Sequence, residues 1–80
     1  MTKVQIQMVR DQVLKANAIL EHERKDWRFK LLQANSAINI IGVDAETKAE
    51  QFNIVGTDAV TSKRDAYNFF SGWLSGHANG

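Results

Sequence analysis

At Trp27 the hydrophobic periodicity of this chain changes, and that change limits the folds open to it. Before it, Ile6, Val9, Val13, Ala16 and Leu20 recur in steps of three and four, the spacing that gathers side chains onto one stripe of a helix. After it, Trp27, Phe29 and Leu31 alternate with Arg28 and Lys30, the two-residue period of a strand with one face in a core. A long helix that feeds a sheet is predicted, and the 80 residues have room for a single domain, 1–80, with a small core.

The first helix is expected over residues 2 to about 25. Thr2, with Gln5 three residues on, fits a capping box, in which each side chain satisfies a backbone N–H that the first helical turn leaves open. Met8, Leu14, Ala18 and Ile19 widen the apolar stripe beyond a narrow coiled-coil seam, which favours packing on a sheet. An alternative use of Ile6, Val9, Val13, Ala16 and Leu20 is as a and d positions of a homodimer seam, since a helix of that length, about 36 Å, outreaches short strands.

Asn35-Ser36 interrupts the alternating segment and is expected to form a tight turn, with Leu31 opposite Ile40 and Lys30 opposite Ile41 in an antiparallel hairpin. Trp27, Phe29, Leu31, Ile38 and Ile40 then share the face on which the first helix lies. Residues 44–50 read as a polar connector, with a short helix capped by Asp44 as the alternative, and residues 51–55 as a third strand ended by Gly56-Thr57-Asp58. Ser62 is a good N-cap for a second helix carrying Ala66, Phe69, Phe70, Trp73 and Leu74 at helical spacing. Gly76 is the expected terminator, and residues 77–80 a frayed tail. The fold class is therefore α+β: helix, three-stranded antiparallel meander and helix, with both helices on one sheet face.

Composition narrows the function. Apolar residues make 44% and charged residues 24% of the chain, a globular balance. The chain has no cysteine, which removes disulfides, thiolate nucleophiles and cysteine metal sites, and with no secretory leader or spanning run in view the expected location is the cytoplasm. No nucleophile elbow, phosphate-binding loop or dinucleotide fingerprint is present, so neither an enzyme nor a cofactor is expected. His22 and Asp26 stand one turn apart, but zinc takes three or four protein ligands and the spacing supplies two, so no metal site is expected.

Charge is uneven along the chain. Residues 1–30 carry seven basic and four acidic side chains, net +3, and residues 31–80 carry three and five, net −2. Arg24, Lys25, Arg28 and Lys30 cluster at the junction of the first helix and first strand, with Glu21, Glu23 and Asp26 interleaved. The net charge of +1 is too small for a strong general attraction to phosphate.

Ser62-Lys63-Arg64-Asp65-Ala66-Tyr67-Asn68 resembles the start of the last helix in double-stranded RNA-binding domains, often S-K-K-x-A-K-N, and the predicted element order is the same. The resemblance implies phosphate contacts from Lys63 and Arg64, with Arg24 and Lys25 as further basic contacts in a nucleic-acid-binding reading. Tyr67 stands where the family has a third lysine, and the histidine-bearing loop between its first two strands has no counterpart here.

The first functional reading is a small non-enzymatic regulatory protein that binds a protein partner through the sheet face away from the helices or through the first helix. Arg28, Lys30, Leu32, Ile41 and Val43 are the expected contact residues, an apolar patch with a charged rim. In size and layout such a chain is similar to phage or mobile-element inhibitors that cover a host protein's functional site.

Overall fold

The hairpin register follows the sequence pattern. In a computed structural model that describes residues 3–34, 37–54 and 62–78, Lys30 pairs with Ile41 and Leu31 with Ile40 in an antiparallel ladder. The elements are α1 (Ile6–His22), β1 (Trp27–Ala34), β2 (Ala37–Asp44), β3 (Glu50–Asn53) and α2 (Lys63–Ala78). The sheet is a meander of order β1-β2-β3, and α1 packs on β1 while α2 packs on β2 and along α1. This is the α+β architecture that the alternation of periods predicts. The tight turn expected at Asn35-Ser36 lies outside the described residues, as do Thr2, the expected strand end at Val55 and the Gly56-Thr57-Asp58 stop.

Two helix boundaries differ from expectation. α1 begins at Ile6, with Gln5 as its N-cap residue, and ends at His22, so it is about 26 Å long. Its stop is local: Arg24 takes φ 59°, its N–H donates to the Glu21 carbonyl at 3.0 Å, and the Lys25 N–H reaches the Leu20 carbonyl at 3.0 Å. That bond pair is the usual closure of a helix whose next residue is left-handed, a place where glycine is favoured. α2 starts as predicted, the Asp65 N–H donating to Ser62 Oγ at 3.1 Å, but runs through Gly76 to Ala78 instead of ending there. Beyond Gly76, His77 stays helical, its ring stacked on Trp73 with centroids 3.8 Å apart.

Arginine in the left-handed region carries a Cβ clash that glycine lacks, partly offset by glycine's larger chain entropy. Arg24→Gly is therefore expected to raise stability by about 0.5–1 kcal/mol, seen as a higher urea midpoint at unchanged slope. A lower midpoint would mean that the Arg24 side chain holds the helix end.

The core is where the two periods meet. Val9, Ala16 and Leu20 of α1, Phe29 of β1, Ile38 and Ile40 of β2, and Ala66 and Phe70 of α2 are all buried in one cluster, with Val13, Trp27 and Leu31 packed at its margin. Phe29 is its hub: its ring meets Trp27, Phe70 and Trp73 edge-on at centroid distances of 4.9, 5.1 and 5.2 Å. The stripe that also suited a dimer seam is thus occupied within the chain, three of its five residues being fully buried. The helix that was to outreach the sheet is also more than a quarter shorter than expected. Leu14 and Ala18, expected to widen the buried face, are exposed. Gln12 takes a place among the buried residues instead, its Nε2 donating to Ser71 Oγ at 3.0 Å and to the Tyr67 carbonyl at 3.2 Å across the α1–α2 contact.

Candidate binding groove between the first helix and the first strand

β1 is an edge strand, so the backbone groups on its outer side have no strand to bond to. In an antiparallel ladder those groups point alternately toward and away from the neighbour. At Phe29 they point outward, and α1 meets them with a side chain: Phe29 N–H donates to Asn17 Oδ1 at 2.8 Å, and Asn17 Nδ2 donates to the Phe29 carbonyl at 3.1 Å. A carboxamide is a peptide group in miniature, so Asn17 stands where the next strand would be. This bond pair joins α1 to the rim of the sheet, and the outer flank of α1 continues the sheet face that looks away from the core.

A groove runs along that seam. Its larger part encloses about 490 Å³ over an apolar floor of Leu14, Ala18 and Val43, with Arg28, Lys30 and Lys48 at its margin and Glu21 as the acidic residue among its lining. A second part, about 430 Å³, shares Leu14, Phe29 and Lys30 with it and extends past Arg10 and Gln7 to Leu31. Leu14 is 68% exposed, the exposed large apolar side chain of the described residues.

The cations are held in different ways. Arg28 Nη1 donates to the carbonyls of Lys25 and Trp27, both at 2.7 Å, so its guanidinium braces the turn between α1 and β1. Lys48 takes φ 65° in the β2–β3 turn, and its Nζ donates to the Ala45 carbonyl at 3.1 Å. Lys30 is exposed. Of residues 44–50, expected as a polar connector, 45–49 form that turn, with Asp44 ending β2 and Glu50 opening β3; Asp44 Oδ1 accepts from the Thr47 and Glu46 N–H groups at 2.8 Å each. These bonds, Thr47 first, hold the Asp44 carboxyl below its ordinary value. The Ala45 N–H donates to the Asp26 carbonyl at 3.0 Å, which ties this turn to the one that follows α1.

The five expected contact residues are not one exposed patch. Lys30 is open and Arg28 and Leu32 are half-buried, but Ile41 and Val43 are buried, at 5% and 4% exposure. The reason lies in the ladder: β2 is the central strand, and Ile41 and Val43 stand opposite Lys30 and Arg28, whose aliphatic stems can lie over apolar neighbours while their charges reach water. Carboxylates at either buried position would disturb the fold itself. The basic residues of the nucleic-acid reading do not meet either. Arg24 and Lys25 share a small cleft with Asp26, Asp44 and Glu46, while Lys63 and Arg64 open α2 and line neither that cleft nor the groove. His22 and Asp26 are exposed.

Sequence reasoning missed Asn17, Leu14 and Lys48 as residues of the site. Leu14 had a signal, since it lies off the stripe set by Val9, Val13, Ala16 and Leu20. Among the described residues no helix is long and apolar enough to cross a membrane. The likeness to double-stranded RNA-binding domains rests on Ser62 to Asn68 and on element order. No protein-family model matches the chain, and no curated protein or solved structure matches it significantly.

Proposed function

We propose that this is a small, non-enzymatic regulatory protein that acts by binding another protein, and that its contact surface is the groove between α1 and β1. The observation that supports this reading is Leu14, a large apolar side chain left 68% exposed over a floor of Ala18 and Val43 and flanked by Lys30 and Lys48. Apolar centres with polar or charged rims are where protein interfaces gain their affinity and their specificity. Covering a functional site on the partner is the form of regulation that a domain of this size suits.

The groove is preferred to the outer sheet face because Ile41 and Val43 at the middle of that face are already buried, whereas the groove adds the exposed Leu14 and Ala18 of α1. It is preferred to a phosphate-binding surface because cations spread over an apolar floor suit carboxylates carried on an apolar chain better than a polyanionic backbone. A photo-crosslinking residue at position 14 is expected to give a discrete protein adduct in extract of the source cells, and Lys30→Glu to remove that adduct without moving the urea midpoint. Adducts with nucleic acid alone would reverse the reading.

A further inference from the structure

The outer edge of β1 is only partly plugged. Because Phe29 turns its backbone groups outward to Asn17, the ladder's alternation turns those of Leu31 and Gln33 outward as well. Leu31 borders the second part of the groove, which separates β1 from the first half of α1 between Gln7 and Leu14. Neither Leu31 nor Gln33 has a bonded partner on that side among the described residues. One outward peptide unit is thus satisfied by an amide from the chain itself, while that of Leu31 borders the groove and that of Gln33 continues the same edge beyond it.

We infer that the groove receives an extended acidic segment of the partner protein, which adds to β1 as a fourth strand beside Leu31 and Gln33. The inference rests on the protein-binding reading and adds the chemistry of the ligand. Three observations converge on it. The first is the amide chemistry already present at Phe29, which shows what the edge bonds to. The second is charge: Arg10 and Lys30 line the part of the groove beside Leu31, and no acidic side chain stands in that lining among the described residues. The third is the apolar lining of that part, Val13, Leu14 and Leu31, which suits a strand whose side chains alternate between carboxylate and branched apolar groups. Strand addition of this kind draws affinity from main-chain bonds and selectivity from the alternate side chains. Asn17 sets the register, because a strand cannot pair past the peptide unit it occupies.

The test uses the whole chain and a fluorescein-labelled peptide of about eight residues, alternating glutamate with valine, the length of an ordinary strand. Saturable binding by fluorescence anisotropy is expected at low salt. A lysine–valine counterpart, and the acidic peptide N-methylated at alternate residues, are each expected to bind at least about tenfold more weakly, the first through charge and the second through lost main-chain bonds. Arg10→Glu with Lys30→Glu should lower affinity for the acidic peptide by about tenfold or more at an unchanged urea midpoint. Failure of the acidic peptide to bind, or equal binding of the N-methylated form, would overturn the inference. Tighter binding of a single-stranded RNA of similar length would assign the groove to nucleic acid instead. A concentration-dependent mass that the double substitution abolishes would assign the edge to a second copy of this chain. If the peptide fails while the position-14 adduct persists, strand addition falls and protein binding stands; if both fail, the functional reading falls with it.

Discussion

Phe29→Ala is expected to remove about 3–5 kcal/mol of folding stability, a large share of the roughly 4–12 kcal/mol that a chain of this length carries. Phe29 is 3% exposed and sits where the sheet and α2 converge, its ring edge-on to Trp27, Phe69, Phe70 and Trp73. Truncation therefore loses the transfer energy of a large apolar group and several favourable ring contacts, and leaves a cavity that a two-layer domain has few side chains to refill. The variant should show weakened near-ultraviolet circular dichroism and a much lower urea midpoint. Leu14→Ala, which trims an exposed leucine, should change stability by no more than about 0.5 kcal/mol. A Phe29→Ala protein within about 1 kcal/mol of the parent would show that the aromatic cluster is not the hub of the core.

Asn17→Leu is expected to cost about 2 kcal/mol, although it replaces a polar residue by an apolar one of similar size and better helix propensity. The loss is at the strand: the N–H and carbonyl of Phe29 lose their partners at 2.8 and 3.1 Å while the leucine still screens them from water. The same change removes the amide that stops pairing along the β1 edge at Phe29, so the variant should also show a sedimentation mass that rises with protein concentration. A stability change under about 0.5 kcal/mol with a constant mass would show that the edge at Phe29 finds water as readily as it found Asn17.

These two positions mark how far the sequence can be read. Phe29 was legible because a strand's face is set by a period of two: once Asn35-Ser36 is taken as the turn, the pairing of Leu31 with Ile40 and the inward aim of Trp27, Phe29, Ile38 and Ile40 follow, as observed. Ser62 was legible because N-capping is local chemistry between residues three apart. Asn17 was not legible, because its partner is a main-chain unit twelve residues away that exposes its bonding groups only when β1 is an edge. The end of α1 was misplaced because Arg24 adopts a conformation that glycine would have advertised. The burial of two of the expected contact residues, Ile41 and Val43, was hidden for a different reason. Alternation and the meander order put Ile41 and Val43 on the outer face of the central strand, but how little of each stays exposed there depends on how the neighbouring side chains lie, which the period does not encode.

The bond between Asn17 and Phe29 also separates two openings of the molecule that otherwise happen together. The amide protons of β1 that point toward β2 are released to solvent when the hairpin opens, whereas the Phe29 amide proton is held by α1 and is released when the helix lifts away. In native-state hydrogen exchange the Phe29 amide therefore reports the docking of the first helix, and its neighbours at Arg28 and Lys30 report the integrity of the sheet. Equal protection at the three positions would mark helix and hairpin as one cooperative unit; faster exchange at Phe29 would mark α1 as a helix that leaves before the sheet does.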